Sequence, residues 1–543
     1  MLRGLMMDRP LLVSSLLEHA ARYYGDTEIV SRTVEGPIHR HDYQAAGQRA
    51  KRLANALSRL GMNPGDRIGT LGWNTYRHFE LYYGISGIGM VCHTINPRLF
   101  TDQIAYIVHH ARDRLLFVDL TFVPLVEKLI DQLAPVEAVV IMTDRAHMPA
   151  TSLPRALCYE ELLAAESDAL DWPEFDENTA SSLCYSSGTT GNPKGALYSH
   201  RSTLLHGLVT SLAMELTNRD VICPIVPMFH VNAWAIPYFA PMVGAKLVLP
   251  GPALDGPSLH ALFETERVTC TSGVPTVWLG LLRYMEENGK RFGSLKRLLV
   301  GGSAAPLAML KTFEETHGVR AVHGWGMTEM SPVGSLVTLS GKLLELPKEQ
   351  QYGYKIKQGR ALFGVDMKIV DEEGRDVVHD GVARGELLVR GPWVISAYYD
   401  DAAASRAAFD DAGWFRTGDV ATIDAEGFMQ IVDRRKDVIK SGGEWISSID
   451  IENMMIGHPD VAEAAVIGLP HPKWGERPLL VVVAREGRQP TREAMLAFLA
   501  ERLAKWMLPD DVAFVAELPH TATGKLQKTK LRKLFRDYKL PTA

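Results

Sequence analysis

The chain has 543 residues, too many for one hydrophobic core, so two or more domains are expected. It carries 58 basic against 64 acidic residues, a mildly acidic balance without the basic footprint of a nucleic-acid binder. Five scattered cysteines (Cys92, Cys158, Cys184, Cys223 and Cys270) form no CxxC pair and fit the reduced, mostly buried thiols of a cytoplasmic protein. The first apolar residues are broken by Arg3, Asp8, Arg9 and Pro10, so they do not form a signal peptide.

Apolar periodicity predicts a helix over 14–24, capped by Ser14 or Ser15, and a second over 45–60, ended by Gly61 and the turn Asn63-Pro64-Gly65-Asp66. A strand is expected over 67–71. An apolar helix over 78–91 follows, with small residues at Gly84, Ser86, Gly87 and Gly89. Strands over 115–119 and 138–142 flank a helical run over 124–133, and this alternation argues for α/β layering with parallel strands.

An acidic connector over 171–179 leads into LCYSSGTTGNPKG, residues 183–195. Leu183-Cys184-Tyr185 suits the end of a buried strand. Gly188, Gly191 and Gly195 then allow a tight loop whose backbone N–H groups can face an anion. Ser186, Ser187, Thr189 and Thr190 add hydroxyl donors, and Lys194 adds charge, so the loop handles phosphate. It is not a Walker A loop, because Gly195 rather than Ser or Thr follows Lys194.

A helix is expected over 203–212. The long uncharged stretch 221–245 is interrupted by Pro224, Pro227, Pro237 and Pro241, which fits a strand, a turn and a buried helix better than a membrane span. Strands follow over 246–249 and 268–275, then a helix over 276–287. A strand over 298–300 runs into Gly301-Gly302-Ser303-Ala304-Ala305-Pro306, and one over 321–323 runs into Gly324-Trp325-Gly326-Met327-Thr328-Glu329. Three apolar strands therefore end in glycine-rich loops, and ligands of open α/β sheets bind beyond such strand ends. From Gly359 short alternating strands with turns at 371–374 and 424–427 predict a small β-rich subdomain, with Thr417-Gly418-Asp419 in a turn. The charged run Asp433-Arg434-Arg435-Lys436-Asp437 marks a boundary before a small α+β domain. The terminal basic segment (Lys525, Lys528, Lys530, Arg532, Lys533) reads mostly as a solvated helix face.

The loop at 183–195 resembles the signature loop of the adenylate-forming superfamily, which comprises acyl-CoA synthetases, luciferases and adenylation domains of peptide synthetases. Further motifs occur in the family's order along nearly the whole chain. The resemblance implies an ATP site made of Ser186, Ser187, Gly188, Thr189, Thr190, Gly191 and Lys194, with Gly302, Ser303 and Ala304 beside adenine. His323, Gly324, Trp325, Gly326, Met327 and Thr328 complete it, Trp325 standing where many relatives have Tyr. Asp419 and Arg434 would face the ribose. Glu329 with Thr190 would hold Mg²⁺, and Lys525 would be the catalytic lysine that bridges the substrate carboxylate and the α-phosphate. Asp433 matches the hinge aspartate. Lys440, Gly442, Gly443, Glu444 and Trp445 match the stretch that meets coenzyme A.

Within that superfamily VCHTINPRLF, VPMFHVNAW and IKSGGEWIS resemble bacterial medium- and long-chain fatty-acid–CoA ligases, a branch that includes 3-methylmercaptopropionate–CoA ligases. There His230 would lie near the acyl carboxylate, and Trp234, Val231, Gly301 and Pro332 would line the acyl tunnel. The implied protein is a homodimer with an N-terminal domain over 1–432 of layered α/β sheets and a β-rich subdomain, a hinge over 433–437, and a mobile α+β C-terminal domain over 438–543. It uses ATP, Mg²⁺ and coenzyme A to join a small carboxylic acid to a thiol through an acyl-adenylate, with no transmembrane segment. An amino-acid adenylation domain would offer a carboxylate within 229–234, where this chain has none. A luciferase-like oxidase shares the first step. A non-catalytic nucleotide sensor would have no need of both Lys525 and Glu329.

Overall fold

A computed structural model describes residues 1–186, 192–442, 444–520 and 526–543. Among these residues four sheets form. A seven-stranded sheet runs in the order Ala156–Cys158, Ala138–Ile141, Asp113–Val118, Arg67–Leu71, Val91–Thr94, Ala180–Tyr185 and Gly195–Ser199, parallel except for the last pair. The strands Asp113–Val118 and Ala138–Ile141 carry the continuous apolar runs LLFV and AVVI, because both faces of the sheet are covered. In the nine-stranded sheet, Glu28–Arg32, Lys246–Leu249, Val221–Pro224, Cys270–Gly273, Arg297–Val300 and Arg320–Gly326 are parallel, and antiparallel strands close each edge. The α/β layering expected from the alternation of elements is present.

Several elements differ from their sequence reading for local physical reasons. Neither Ser14 nor Ser15 caps the first helix, Ser14–Tyr23; the Ser15 hydroxyl donates back to Leu12 O instead. The second helix starts at Tyr43, because extended Asp42 accepts from Ala45 N at 2.8 Å. The helix expected over 78–91 spans Tyr76–Ser86. Gly89 then turns at φ 78°, and Val91–Thr94 becomes a buried parallel strand. A fully buried apolar run has no face, so periodicity cannot separate helix from strand there. Residues 221–245 resolve into strand Val221–Pro224 and helix Ile236–Val243. No helix among the described residues is long and apolar enough to cross a membrane.

Two expected loops belong to strands. Arg320–Gly326 continues through Gly324, Trp325 and Gly326, pairing antiparallel with Val333–Leu336. Thr417-Gly418-Asp419 lies inside strand Phe415–Ile423 of an antiparallel four-stranded sheet. The register of that sheet shifts here and Gly418 sits at φ 72°, so an irregular strand carries the signature of a turn. This sheet ends at Arg434. The five-stranded sheet of the C-terminal part begins with Ile439–Ser441 and is flanked by helices Ser448–Ile456 and Arg492–Ala500.

Gly359 stitches the nine-stranded and four-stranded sheets together. Its carbonyl accepts from Met429 N at 2.8 Å, its φ is 90°, and a Cβ would lie 2.1 Å from the carbonyl carbon of Leu336. Gly359→Ala is therefore expected to cost about 3 kcal/mol or more, at the upper end of single substitutions. Gly280→Ala, in helix Pro275–Glu287 with open space at the Cβ position, should be neutral or gain up to about 1 kcal/mol. Thermal unfolding of both variants beside the native protein checks this, and similar midpoints for the two would contradict it.

Candidate active site

The predicted glycine-rich loops converge. One cavity of about 1140 Å³ is lined by Ser186 and Lys194, by Gly301 to Ala304, by Gly324 to Glu329, by Thr417 to Asp419, and by Asp433 and Arg434. The C-terminal part covers it with His520, Gln527, Lys528 and Lys530. Parallel strands deliver their ends to one edge, which is why loops so far apart in sequence meet here.

The corner around Asp419 is set by strand register. Asp419 and Arg434 are direct partners across the strands Phe415–Ile423 and Met429–Arg434, and Arg434 Nε lies 2.9 Å from Asp419 Oδ1. Trp325 Nε1 donates to Asp419 Oδ2 at 2.9 Å. Each carboxylate oxygen thus holds one donor and keeps acceptor capacity for a vicinal diol. The resemblance placed Trp325 in the implied ATP site but gave no sign of this hydrogen bond, which spans 94 residues.

At the phosphate corner, Ser186 N donates to Lys194 O at 2.9 Å and Lys194 N donates to Ser186 Oγ at 3.2 Å, which closes the base of the loop. Ser187, Gly188, Thr189, Thr190 and Gly191 lie outside the described residues. Lys194 Nζ sits 5.0 Å from the ring centre of Tyr398, whose hydroxyl donates to Glu329 Oε1 at 2.8 Å. Burial, with the Glu329 charge beside it, holds the Tyr398 phenol well above its usual value, so it stays a donor. The other Glu329 oxygen carries no hydrogen bond among the described residues. A lone carboxylate facing a phosphate site fits Mg²⁺, which prefers one or two carboxylates plus substrate phosphates to an all-protein cage. Tyr398 gave no sequence signal, since an aromatic pair after an apolar strand is ordinarily core.

His230, Val231, Trp234, Gly301 and Pro332 line the same cavity. An apolar wall from Ile225, Leu254, Val274, Val277, Leu279 and Leu299 adjoins them and was not legible beforehand, because separate elements supply it. A Cβ on Gly301 would lie 3.0 Å from the Trp234 ring and 3.2 Å from Gly324 O, so a side chain there would fit only with a shift of these neighbours by a few tenths of an ångström. Val231 to Ala235 all take positive φ, in a conformation that costs non-glycine residues ~1–2 kcal/mol each. His206, also unforeseen, accepts from Val333 N at 3.0 Å and so holds the strand that follows Pro332.

Other sequence expectations are displaced. His323 does not line the cavity; it is buried, its Nδ1 lies 3.1 Å from Ile356 O, and burial lowers it to about 4. Lys440 and Gly442 also lie off the cavity. Lys440 Nζ faces Glu372 at 3.4 Å, and Gly442 N donates to Trp474 O. Gly443, Lys525 and the side chains of Glu444 and Trp445 are outside the described residues. Lys528 is not a solvated lysine. It is buried, pairs with Glu452 Oε1 at 2.8 Å and donates to Ser448 Oγ. Ser448 in turn donates its N–H to Asp433 Oδ2 at 2.8 Å. Burial pushes the Glu452 carboxyl up to about 7 and raises Asp433, while Glu452 and Asp433 outweigh desolvation to hold the Lys528 amine above its usual value.

One pocket thus offers a nucleotide a ribose clamp and phosphate donors, and offers an acid an apolar wall, an arrangement suited to a ligase that activates carboxylic acids. Residues 17–399 match the AMP-binding enzyme family, and residues 450–525 match the AMP-binding enzyme C-terminal domain. The chain is 52% identical over 536 residues to a 3-methylmercaptopropionyl-CoA ligase of Ruegeria lacuscaerulensis, covering 98% of this chain and 99% of the relative. It is 48% identical to a medium-chain-fatty-acid–CoA ligase of Ectopseudomonas oleovorans, covering 98% of each. The solved structure of the anthranilate CoA ligase AuaEII in complex with anthranoyl-AMP is similar, with a TM-score of 0.87 at 26% identity over 97% of this chain and 98% of that one. The chain belongs to the AMP-binding enzyme family. It is an acyl-CoA ligase that works through an acyl-adenylate.

Trp325→Phe keeps an aromatic face but removes the donor to Asp419. The expected result is a KM for ATP raised about tenfold or more, the weight of one hydrogen bond to a charged group, with kcat nearly kept. A full steady-state ATP titration reads it. Burial lowers the His206 imidazole to about 3, far below the ordinary 6.5. A lowered folded value means stability that is present above pH 6.5 and is lost as pH falls towards 3. The stability gap between the native protein and His206→Gln should therefore narrow by about 1.4 kcal/mol per pH unit between roughly pH 6 and 4. Urea unfolding at several pH values measures the gap, and one that does not change with pH would count against a neutral His206.

Proposed function

We propose that the acid is a medium- or long-chain fatty acid. The observation that carries this is the apolar wall of Ile225, Leu254, Val274, Val277, Leu279 and Leu299, which is more surface than a short acid can cover. Each buried CH₂ contributes about 0.8 kcal/mol, so a longer chain profits from it. A second reading, 3-methylmercaptopropionate, is favoured by the slightly higher identity to the Ruegeria ligase.

In the first half-reaction the carboxylate oxygen attacks the α-phosphorus of ATP and pyrophosphate leaves. Asp419, Trp325 and Arg434 hold the ribose end, which fixes the α-phosphate relative to the acid. Lys194 and the hydroxyls of its loop, Ser186 among them, take the outer phosphates. Glu329, kept in place by Tyr398, and Thr190 would hold Mg²⁺, which supplies positive charge to the phosphate oxygens. His230 orients the carboxylate. Lys525 bridges carboxylate and α-phosphate, offsetting the repulsion between two anions as the bond forms. In the second half-reaction the thiol of coenzyme A loses its proton and attacks the acyl carbon, and AMP leaves.

The same proposal includes a domain over 1–432, a hinge over 433–437 turning about Asp433, and a mobile domain over 438–543. Its support is that His520 and Lys530 line the cavity while Lys440 and Gly442 of the same small part do not. One orientation then serves adenylation, and another brings Lys440, Gly442, Gly443, Glu444 and Trp445 to coenzyme A. A cytoplasmic homodimer completes the reading; five buried free thiols suit a reducing compartment.

AMP release with ATP, Mg²⁺ and coenzyme A across acids from acetate and 3-methylmercaptopropionate to octanoate and palmitate tests the substrate. A maximum at octanoate or longer is expected, and a maximum at the thioether acid would replace that reading. Lys525→Ala should slow adenylation by about 10²-fold or more while leaving thioester formation from preformed acyl-AMP within a few-fold. Equal loss of both half-reactions would remove Lys525 from its role.

A further inference from the structure

Five consecutive non-glycine residues, Val231 to Ala235, occupy the left-handed region, with φ of 40°, 51°, 48°, 56° and 68°. L residues visit this region singly, because the Cβ crowds the following carbonyl oxygen. The run is buried throughout and forms a short left-handed 3₁₀ turn, flanked by Ala233 N donating to His230 O at 3.2 Å and by Ile236 N donating to Ala233 O. Something beyond the run must stabilise its hand.

The Asn232 side chain is placed to do so. Its Nδ2 donates to Ser182 Oγ at 2.9 Å, and its Oδ1 accepts from Tyr82 Oη at 3.3 Å and Cys184 Sγ at 3.4 Å. Thr94 Oγ1 and Tyr238 Oη stand at the outer limit, 3.5 Å. Ser182, Cys184, Thr94 and Tyr82 come from two strands and a helix far from the turn in sequence, and Tyr238 from the helix Ile236–Val243 that follows it directly. Asn is also among the few residues that tolerate positive φ. The turn it anchors carries Val231 and Trp234 into the cavity, with the Trp234 ring against Gly301.

We propose that Asn232 is a positioning residue for acyl selectivity: its amide holds the turn in the left hand, and that hand places Trp234 against Gly301. This rests on reading that side of the cavity as the acyl site. Loss of the amide lets the turn relax towards the right-handed region, and Trp234 leaves its place while the nucleotide corner is untouched.

The test compares the full-length native protein with Asn232→Ala, measuring kcat/KM for propionate, 3-methylmercaptopropionate, octanoate and palmitate, and KM for ATP. The ratio of octanoate to propionate should change by about tenfold, the equivalent of 1.4 kcal/mol, with KM for ATP within about twofold. Glycine at Ala233 and Ala235 in the Asn232→Ala background should restore most of the native ratio, because glycine takes positive φ without the Cβ penalty. Ser182→Ala, which removes only the partner of Nδ2, serves if Asn232→Ala does not fold, and should move the ratio the same way by a smaller factor. An equal fall for every acid, or a changed ratio that the glycines leave unrestored, overturns the proposal. A native protein that shows no preference across the acids fails the acyl reading instead, and a native preference that the variants keep fails this inference alone.

Discussion

The carboxylate of Asp419 is where three parts of the chain meet. It is almost wholly buried, and a charge in such a place must be paired and hydrogen-bonded. Trp325 comes to it from the nine-stranded sheet, Arg434 from the neighbouring strand of the four-stranded sheet. The residue before Arg434 is Asp433, whose own carboxylate is held by Ser448 of the C-terminal part. The nucleotide corner and the proposed hinge are thus consecutive on one strand. Arg434 is partly exposed and its ion pair is screened, so its weight lies in geometry more than in energy.

Polar burial elsewhere follows the same logic with different consequences. Lys528, Glu452, Ser448 and Asp433 form a buried chain that ties the end of strand Met429–Arg434 to helix Ser448–Ile456 and helix Lys528–Leu534. Removing one member would leave an uncompensated charge, so the group stands or falls together. His206 solves the problem by staying neutral, which lets its Nε2 accept from a backbone amide. Tyr398 stays protonated and so orients the Glu329 carboxylate. At His206 and Tyr398 burial favours the protonation state that the local hydrogen bond needs.

Backbone strain is concentrated on the acyl side. The left-handed turn of Val231 to Ala235 abuts Gly301, where a Cβ would lie 3.0 Å from the Trp234 ring. Strain of this kind persists only where surrounding structure over-determines it. Here the surroundings are two strand positions, Ser182 and Cys184, immediately before the phosphate loop. The strand that leads into the loop at 186–194 therefore also anchors the left-handed turn.

The sequence by itself determined the α/β layering and named many of the residues that line the cavity. These depend on local spacing and on residue types that chemistry demands at fixed offsets. Tertiary structure alone decided the rest. Trp325 reaches Asp419 over 94 residues, Tyr398 reaches Glu329 over 69, and His206 reaches Val333 over 127. No local pattern encodes such pairs, because they arise only when parallel strands bring their ends to one edge. For the same reason His323 turned out to lie behind the cavity, and Lys528, a surface lysine by its neighbours in sequence, became the buried partner of Glu452. Spacing along a strand or helix fixes which residues share a face, but which face is covered, and by what charge, is settled by the elements that pack against it.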